Sequence, residues 1–461
     1  MDPVTDRPRS SFQSRQAWEW ACLFVFLGLV AWQIFFPPVV GLSDNNDFAK
    51  VLGPAGVCHS APETLNAWFV TGYGSGPKCH WSSGLVSTEI PLASLGRWIG
   101  RPFTGRYHFD IRFSAAVHLA ILALAFGLFL NATRRSRPLV RFLLPPFAIF
   151  IFTDVAYVAY LNSAFMDNAS FVLLLLLIAI AAQPDVRWKP AAYAIAGILL
   201  VFSKAQHSLL GLPFAGLALF FALRSGARRL WGAAAVALIA SSLVMPRLTP
   251  PEYRQISLFN LVFYKLAAED PKVLDLLDLD SSYRPYIGHT AFDSPPPLAD
   301  PDWTRRFLDR VSFARIAQLY LRHPSIAAKT LRFDLLDAAH SIRPDYLANY
   351  RREDGYPAHS QATAFGFWSH FRSTLLYFHP YSLPALLVLP LLSRRPLAVT
   401  LALAGLLEFA VCSLTDGLDT HRHLFLFHIL TEAVIILTAA FALSAIPASR
   451  HRAPEAAEPH A

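Results

Sequence analysis

Two acids and two amides stand together in the stretch GLSDNNDFAK, residues 41–50, directly after an apolar run that ends in AWQIFFPPVV. Asp44 and Asp47 share one face if this segment turns helically. A transferase that moves a sugar onto a hydroxyl needs a carboxylate to take the acceptor proton, and partial burial beside apolar residues makes an Asp more basic. The alternative is structural, because such a cluster also caps a helix and keeps the chain solvated.

A second polar group occurs in DVAYVAYLNSAFMDNASF, where Tyr160, Asn162 and Asp167 fall between two apolar blocks. Polar residues at membrane depth are costly and are often functional. We therefore predict that these three side chains bind substrate. For Asp167 the alternative is an N-cap of the helix that follows.

Two cations stand in short turns that are otherwise poor in basic residues. Lys204 lies in FSKAQH, and Arg422 lies in TDGLDTHRHLFLFH. A lysine can extend harmlessly to the membrane interface, but a cation in such a turn favours an anionic partner such as a lipid phosphate. A guanidinium grips phosphate through two parallel hydrogen bonds. We predict that Lys204 and Arg422 bind a lipid-borne phosphate.

A further stretch, RQISLFNLVFYKLAAED, joins polar residues to aromatic ones. In it we predict Arg254 and Lys265 as additional phosphate ligands, and Asn260 and Tyr264 as substrate ligands. A surface helix with ordinary packing is the alternative that its pattern alone favours.

The elements that must position these residues are membrane-spanning helices. The 461 residues are 54% hydrophobic and 16% charged, with a mean hydropathy of +0.37, whereas about a quarter of an average soluble domain is charged. The apolar residues gather in blocks long enough to cross a hydrocarbon core of about 30 Å. We predict an all-α polytopic membrane protein with ten spans, near 18–37, 113–131, 140–157, 169–183, 190–204, 207–223, 230–246, 380–393, 396–414 and 424–446.

The basic residues set the predicted orientation. A net charge of +8 and a pI near 9.4 could suggest nucleic acid, but the cations alternate with the apolar blocks, so we expect no nucleic-acid partner. By the positive-inside rule, six short basic segments are cytoplasmic, and all six agree with ten spans and both termini inside. They contain Arg7, Arg9 and Arg15; Arg134, Arg135, Arg137 and Arg141; Arg187 and Lys189; Arg224, Arg228 and Arg229; Arg394 and Arg395; and Arg450 and Arg452.

This path divides the chain into five regions. Residues 1–17 form a cytoplasmic N-terminus, and 18–246 form the first part of the transmembrane core, with an exported loop at 38–112. Residues 247–379 form a second exported loop, 380–446 complete the core, and 447–461 are a disordered cytoplasmic tail. Both loops carry short amphipathic helices. In one of these, Phe307, Val311, Ile316 and Leu319 form an apolar face that lies either on the bilayer or against a small exported subdomain.

Cysteine placement is consistent with this path. Cys58 and Cys79 both fall in the first exported loop, and a disulfide between them is expected in an oxidising compartment. Two unrelated buried thiols are the alternative.

The sequence also excludes several kinds of site. No Walker loop, Rossmann glycine pattern, HExxH or GxSxG motif occurs in a supporting context. His421 and His423 lack the i,i+4 spacing of a helical metal pair, so no metal site is predicted there. The predicted cytoplasmic loops are too short to form a nucleotide-binding domain. Any chemistry is therefore expected on the exported side, with a lipid-linked donor.

Together these features resemble bacterial GT-C integral-membrane glycosyltransferases, and they cover most of the chain. The resemblance rests on the acids directly after the first span, the YLNS turn with a nearby acid, SKAQ at the next exported turn, and the basic turn before the last span. The stretch NLVFYKLAAEDPKVLDLLDL, with YIGHTAF after it, resembles the exported segment of surface-glycan hexosyltransferases.

The resemblance implies an inverting transfer from a polyprenyl-phosphate sugar to a glycan, lipid or protein acceptor, in a bacterial plasma membrane. It implies that the acid after the first span is the base, which here is Asp47, next to Phe48, with Asp44 second. Asp44 could also orient the acceptor or bind a divalent cation. The family pattern in some branches has two adjacent acids, and DNND separates them, so the choice between these two aspartates stays open.

A flippase or transporter of lipid-linked glycans, or a polymerase or ligase that acts on them, is the alternative function. A transporter is expected to carry charged residues near mid-membrane and interrupted helices in corresponding halves. This sequence concentrates its charges at one predicted face, which favours the enzyme.

Overall fold

A computed structural model describes the backbone of residues 9–446 and the side chains from Gln16 onward. The predicted basic markers Arg7, Arg9, Arg15, Arg450 and Arg452 lie outside the described side chains, as does the tail predicted at 447–461.

The described chain is mostly helical. In order, the helices of its first half are α1 (Arg9–Phe35), α2 (Ala49–Leu52), α3 (Glu89–Thr104), α4 (Arg112–Thr133), α5 (Pro138–Phe152), α6 (Val155–Leu161), α7 (Asp167–Ala181), α8 (Lys189–Val201), α9 (Gly211–Arg224) and α10 (Arg228–Val244).

The second half continues with α11 (Pro251–Phe259), α12 (Ala267–Glu269), α13 (Lys272–Leu276), α14 (Pro301–Arg310), α15 (Phe313–Arg322), α16 (Pro324–Asp337), α17 (Phe367–Phe378), α18 (Ser382–Val388), α19 (Pro396–Thr415), α20 (Thr420–His423) and α21 (Phe425–Ala445). A π-helix, Asn260–Leu266, joins α11 to α12.

Among residues 9–446, six helices are long and apolar enough to cross a membrane, and the number rises to eight if each of two bent pairs counts as one span. The bent pairs are α5 with α6, at 65°, and α17 with α18 and the 3-10 turn after it, at 102°. Helices α7 and α8 are apolar but shorter, and they coincide with two of the predicted blocks. The predicted helical, multi-pass membrane architecture is confirmed, whereas the count of ten spans stays a prediction.

One carboxylate explains the bend between α5 and α6. Asp154 lies between these helices, and its side chain accepts hydrogen bonds from the backbone N–H of Ala156, at 2.9 Å, and of Ser369, at 2.8 Å. The first N–H belongs to the start of α6 and the second to the first turn of α17. Because the first N–H groups of a helix have no partner within it, Asp154 caps two helices at once.

The first long loop is ordered by local structure of its own. Strands β1 (Gly72–Gly74) and β2 (His108–Asp110) pair antiparallel, with Tyr73 opposite Phe109. Cys58 and Cys79 are joined as a disulfide, with their Cα atoms 4.5 Å apart. Helix α3 lies in the same segment and crosses α4 closely, because a Cβ at Gly96 would come within 2.7 Å of the Ser114 backbone.

The second long segment contains a small hydrophobic core separate from that of the bundle. Phe259, Phe263, Trp303 and Tyr283 form an aromatic group in it. The apolar face predicted for a surface helix belongs to this core, since its side chains are all buried: Phe307, Val311, Ile316 and Leu319. These residues therefore follow the packed alternative and not the bilayer-surface one. Their helix is also broken in two, because Ser312 caps a new start at α15.

The predicted orientation can be checked by labelling. Single cysteines at Ser136, Ser225 and Ser393 are expected to react only with reagents that enter the cytoplasm, and single cysteines at Ser83 and Ser294 with reagents added outside. The physical reason is the clustering of arginines beside the first three positions. A Ser225 position that reacts from outside would contradict the ten-span path.

The disulfide can be tested by peptide mapping. Without reductant, the peptides that carry Cys58 and Cys79 are expected to migrate as one linked species, because an oxidising compartment preserves a bridge between them. The buried thiols of Cys22 and Cys412 serve as internal controls and should stay free. Two free thiols at Cys58 and Cys79 in fresh membranes would contradict the placement of the first loop outside.

Candidate functional site

The polar turns singled out in the sequence meet at one end of the bundle, and Arg422 lies at their centre. Its Nη2 donates to Asp47 Oδ2 and its Nε to Asp419 Oδ2, each at 2.5 Å. The guanidinium stacks 4.5 Å from the Phe165 ring, and the side chain is only 7% exposed. The first loop and the turn before the last helix are thus joined by one buried cation, which we call the Arg422 clamp.

The DNND cluster orders the turn that leads into α2, but its side chains do not cap that helix. Asp44 Oδ1 accepts the backbone N–H of Phe48 at 3.0 Å, and Asn45 Oδ1 accepts that of Asp47 at 3.2 Å, just before α2. The Asp47 side chain does not take part in these hydrogen bonds. It points instead to Arg422 and Lys50, so the cluster combines an ordered turn with an ion-pair network.

The two aspartates differ in electrostatic environment. Burial raises the pKa of Asp44 above its usual value, against the opposing effect of the Phe48 N–H. Burial acts in the same direction on Asp47, but Arg422 and Lys50 together outweigh it and hold the pKa of Asp47 well below the usual range. Asp44 is 5% exposed, whereas the Asp47 side chain is 25% exposed and is the more reachable of the two.

The SKAQH turn contributes a second set of contacts. Lys204 Nζ donates to Asp167 Oδ1 at 3.1 Å. Gln206 Nε2 donates to the backbone carbonyl of His423 at 2.9 Å, and so fixes the turn that carries Arg422. Lys204 and Arg422, the first two of the four cations predicted to bind phosphate, therefore lie in one region, and each is paired with at least one carboxylate.

Asp416 and His423 form another ion pair at the same turn. Burial opposes ionisation of Asp416, but the neighbouring imidazole prevails and lowers the pKa of this carboxyl to about 2. The turn thus holds an ionised acid, Asp416, beside His423.

Two of the predicted substrate ligands are fully buried. Tyr160 stacks on Phe425, with ring centroids 3.6 Å apart, and its hydroxyl makes no hydrogen bond within the described residues. The Asn162 amide donates to the carbonyls of Ile34 and Val40, at 2.9 and 2.8 Å. Asn162 therefore holds the chain where it leaves α1, which is a structural role.

The π-helix residues lie outside the Arg422 clamp. Lys265 Nζ donates to Asp334 Oδ2 at 2.8 Å, and to the carbonyls of Ser413 and Asp416 at 3.0 and 3.1 Å. Since an ammonium has three N–H donors, these contacts use all of them. Lys265 therefore attaches the small core to the end of α19, and has no donor left for a phosphate.

The other three residues predicted in this stretch, Asn260, Tyr264 and Arg254, do not come together in one site. Asn260 Oδ1 accepts the backbone N–H of Ala291 at 2.8 Å, which orders the small core. Tyr264 and Arg254 are exposed on the surface. The neighbour of Arg254, Tyr253, does approach the site, because the Lys50 ammonium lies 5.0 Å from its ring centroid.

Glu408 belongs to the site region but did not emerge among the predicted residues. It lies in α19 and pairs with His207 at 2.7 Å. Its signal was present in the sequence, because it is the single acid within the apolar block 396–414. Lys50 was also overlooked, and its pairing with Asp47 could not be read from spacing alone.

A divalent cation has no evident position. Within residues 9–446, no group of three or more His, Cys, Asp or Glu side chains is placed to hold a metal ion. The two acids of the clamp, Asp47 and Asp419, are engaged by Arg422 and Lys50 instead, and Asp167 is engaged by Lys204.

Comparison with known proteins adds one finding. Residues 10–457 match a family model described as YfdI N-terminal transmembrane domain, which extends over nearly all of the chain. No curated protein matches it. The bundle of apolar helices, with polar residues in its loops, is consistent with a transmembrane domain. The chain belongs to the YfdI N-terminal transmembrane domain family.

Proposed function

We propose that the chain is a GT-C-type glycosyltransferase that moves a sugar from a polyprenyl-phosphate donor to a glycan, lipid or protein acceptor. The supporting observation is the Arg422 clamp, which joins a reachable carboxylate, Asp47, to a buried guanidinium at the end of a membrane bundle. A cation for the phosphate and a base for the acceptor are the two groups that such a transfer needs.

The proposed reaction is a single inverting displacement. The acceptor oxygen attacks the anomeric carbon and forms the new C–O bond, while its proton passes to an Asp carboxylate. The bond from the anomeric carbon to the phosphate oxygen breaks, and its electron pair leaves with the polyprenyl phosphate. Arg422 and Lys204 stabilise the negative charge on that leaving group.

Asp47 is the proposed base, although it is paired with Arg422 and Lys50. A carboxylate held by two cations is a weak base, because both cations favour its ionised form. A donor phosphate at Arg422 competes with Asp47 for the guanidinium. Loss of that partner makes Asp47 more basic at the moment when donor is bound, whereas Asp44 stays committed to the Phe48 N–H.

The membrane orientation is part of the proposal. We place the clamp at the periplasmic face of a bacterial inner membrane, because the basic segments at the opposite helix ends fit the cytoplasmic side. A polyprenyl-linked donor is the class of substrate that remains at this face, where nucleotide sugars are absent.

A second candidate is a flippase for lipid-linked glycans. It is favoured by the fully buried pair of Arg372 and Glu432, at 2.8 Å between α17 and α21, and by the two bent helix pairs. Buried charges and broken helices are typical of transporters.

One experiment separates these two functions. Purified protein is incubated with a panel of polyprenyl-phosphate sugars and acceptor extract, and mass spectrometry follows the donor lipid. The transferase is expected to convert donor to sugar-free polyprenyl phosphate. Intact donor that only changes leaflet in proteoliposomes would favour the flippase and overturn the transferase.

The base can be tested by an isosteric substitution. Asp47→Asn keeps the size of the side chain but removes its basicity, so turnover is expected to fall by about a hundredfold or more. Asp44→Asn is expected to reduce turnover less, because the substituted side chain still has an Oδ1 that can accept the Phe48 N–H. Near-normal turnover in both single variants and the double variant would exclude this pair and direct attention to Asp154 and Asp167.

The phosphate ligands can be tested by removing their charge. Lys204→Met and Arg422→Met are each expected to weaken donor use by about 1.5–3 kcal/mol, the usual contribution of a charged hydrogen bond. Donor KM and turnover are the measurements, with thermal unfolding as the check of folding. Arg254→Met removes an exposed arginine outside the clamp and is the matched control. An effect of Arg254→Met alone would place the phosphate on α11 instead.

A further inference from the structure

A buried acid of helix α19, Glu408, lies next to the part of the site that contains Lys204. Glu408 is 1% exposed and lies two turns before α19 ends at Thr415. An ionisable side chain at such a position is costly unless it is paired, and it marks a functional site by default. None of the proposed steps uses it.

The contacts of Glu408 orient one imidazole. His207 Nδ1 lies 2.7 Å from Glu408 Oε1, and Gln206 Nε2 donates to the same oxygen at 3.3 Å. With Nδ1 engaged by Glu408, the other ring nitrogen, Nε2, faces Asp167 Oδ1 at 3.9 Å. Within the described part of the chain, Nε2 has no hydrogen-bond partner, although it is buried.

Asp167 connects Glu408 and His207 to the proposed donor site. It is 1% exposed; its Oδ1 accepts from Lys204, and its buried Oδ2 has no partner among the described residues. Four side chains are linked in this way. Two are acids, Asp167 and Glu408, and two are basic, Lys204 and His207. A protonated His207 makes the net charge of these four side chains zero, and all of them except Lys204 are buried.

The proposed function creates a difficulty at Asp167. If Lys204 turns to a donor phosphate, the buried Asp167 carboxylate loses its partner, and an unpaired buried charge is strongly destabilising. Donor binding would then be weakened by the cost of that unpaired charge. A second cation within reach of Asp167 removes the difficulty.

We propose that His207, held by Glu408, is the reserve cation for Asp167: when Lys204 leaves Asp167 for a donor phosphate, His207 Nε2–H closes the 3.9 Å gap and pairs with Asp167. In the protonated ring, Nδ1–H donates to Glu408 and Nε2–H to Asp167, so both protons are used. Glu408 and His207 are therefore positioning residues, since neither needs to touch the donor. Arg422 and His423 also bring positive charge towards Asp167, but both have carboxylates of their own.

This inference rests on the proposed function, and its test measures binding instead of turnover. The probe is sugar-free undecaprenyl phosphate, with the neutral alcohol undecaprenol as the comparison. Glu408→Gln and His207→Gln are each expected to weaken binding of the phosphate about tenfold or more, and to leave binding of the alcohol unchanged. Glu432→Gln, another fully buried acid in a membrane helix, is the matched control and should bind the phosphate as the original protein does.

The Asp167→Asn background separates this role from a merely structural one. Without the Asp167 carboxylate no reserve cation is needed, so adding Glu408→Gln or His207→Gln there is expected to cause no further loss of phosphate binding. Equal losses in both backgrounds, or unchanged binding by both single variants, would overturn the inference alone. An original protein that does not bind undecaprenyl phosphate would overturn the proposed donor class, and the inference with it.

Discussion

The rest of the site depends on the burial of one guanidinium. Arg422 cannot lose its charge at any physiological pH, so its burial requires acids around it. Asp419 supplies one acid from the same turn, and Asp47 supplies the other across 375 residues of sequence. This requirement holds the first loop against the turn before the last helix. The Phe165 ring under the guanidinium completes the enclosure.

The same pairing determines how a ligand can enter. Arg422 and Lys204 already have carboxylate partners, so a phosphate gains only the difference between its own contacts and theirs. The affinity for a phosphate is thereby limited, but the discrimination between charged and neutral headgroups improves. A neutral headgroup has nothing to offer in exchange for the lost ion pairs, whereas a phosphate does.

Much of the architecture could be predicted from the sequence, because a membrane span needs only a long apolar run. The bend between α5 and α6 could not be predicted, since the Asp154 side chain accepts N–H groups from α6 and α17, which are far apart in the chain. For the same reason the sequence did not reveal that Phe307 and Ile316 pack in a core of their own. An amphipathic pattern predicts that the apolar face of a helix is covered, but it does not identify what covers it.

The candidate site was predictable in residue type but not in pairing. Asp47, Lys204 and Arg422 stood out because cations and acids are rare beside apolar runs, and the structure brings all three to one end of the bundle. Asn162 and Lys265 stood out for the same reason, yet Asn162 donates to two backbone carbonyls, and Lys265 donates to two more and to Asp334. Composition cannot separate these two uses of a polar group, because the partner carbonyls have no sequence signature.

The π-helix at Asn260–Leu266 has a consequence for how this segment tolerates insertions and deletions. A π-turn contains about one residue more than an α-turn, and each residue of a helix advances the side-chain direction by about 100°. Deleting one residue of the π-helix would return it to an α-turn and leave Lys265 directed at Asp334 and the end of α19, whereas a deletion in α11, which has no extra residue, would rotate the ammonium away. The π-helix is therefore the part of this segment where the loss of one residue is tolerated best.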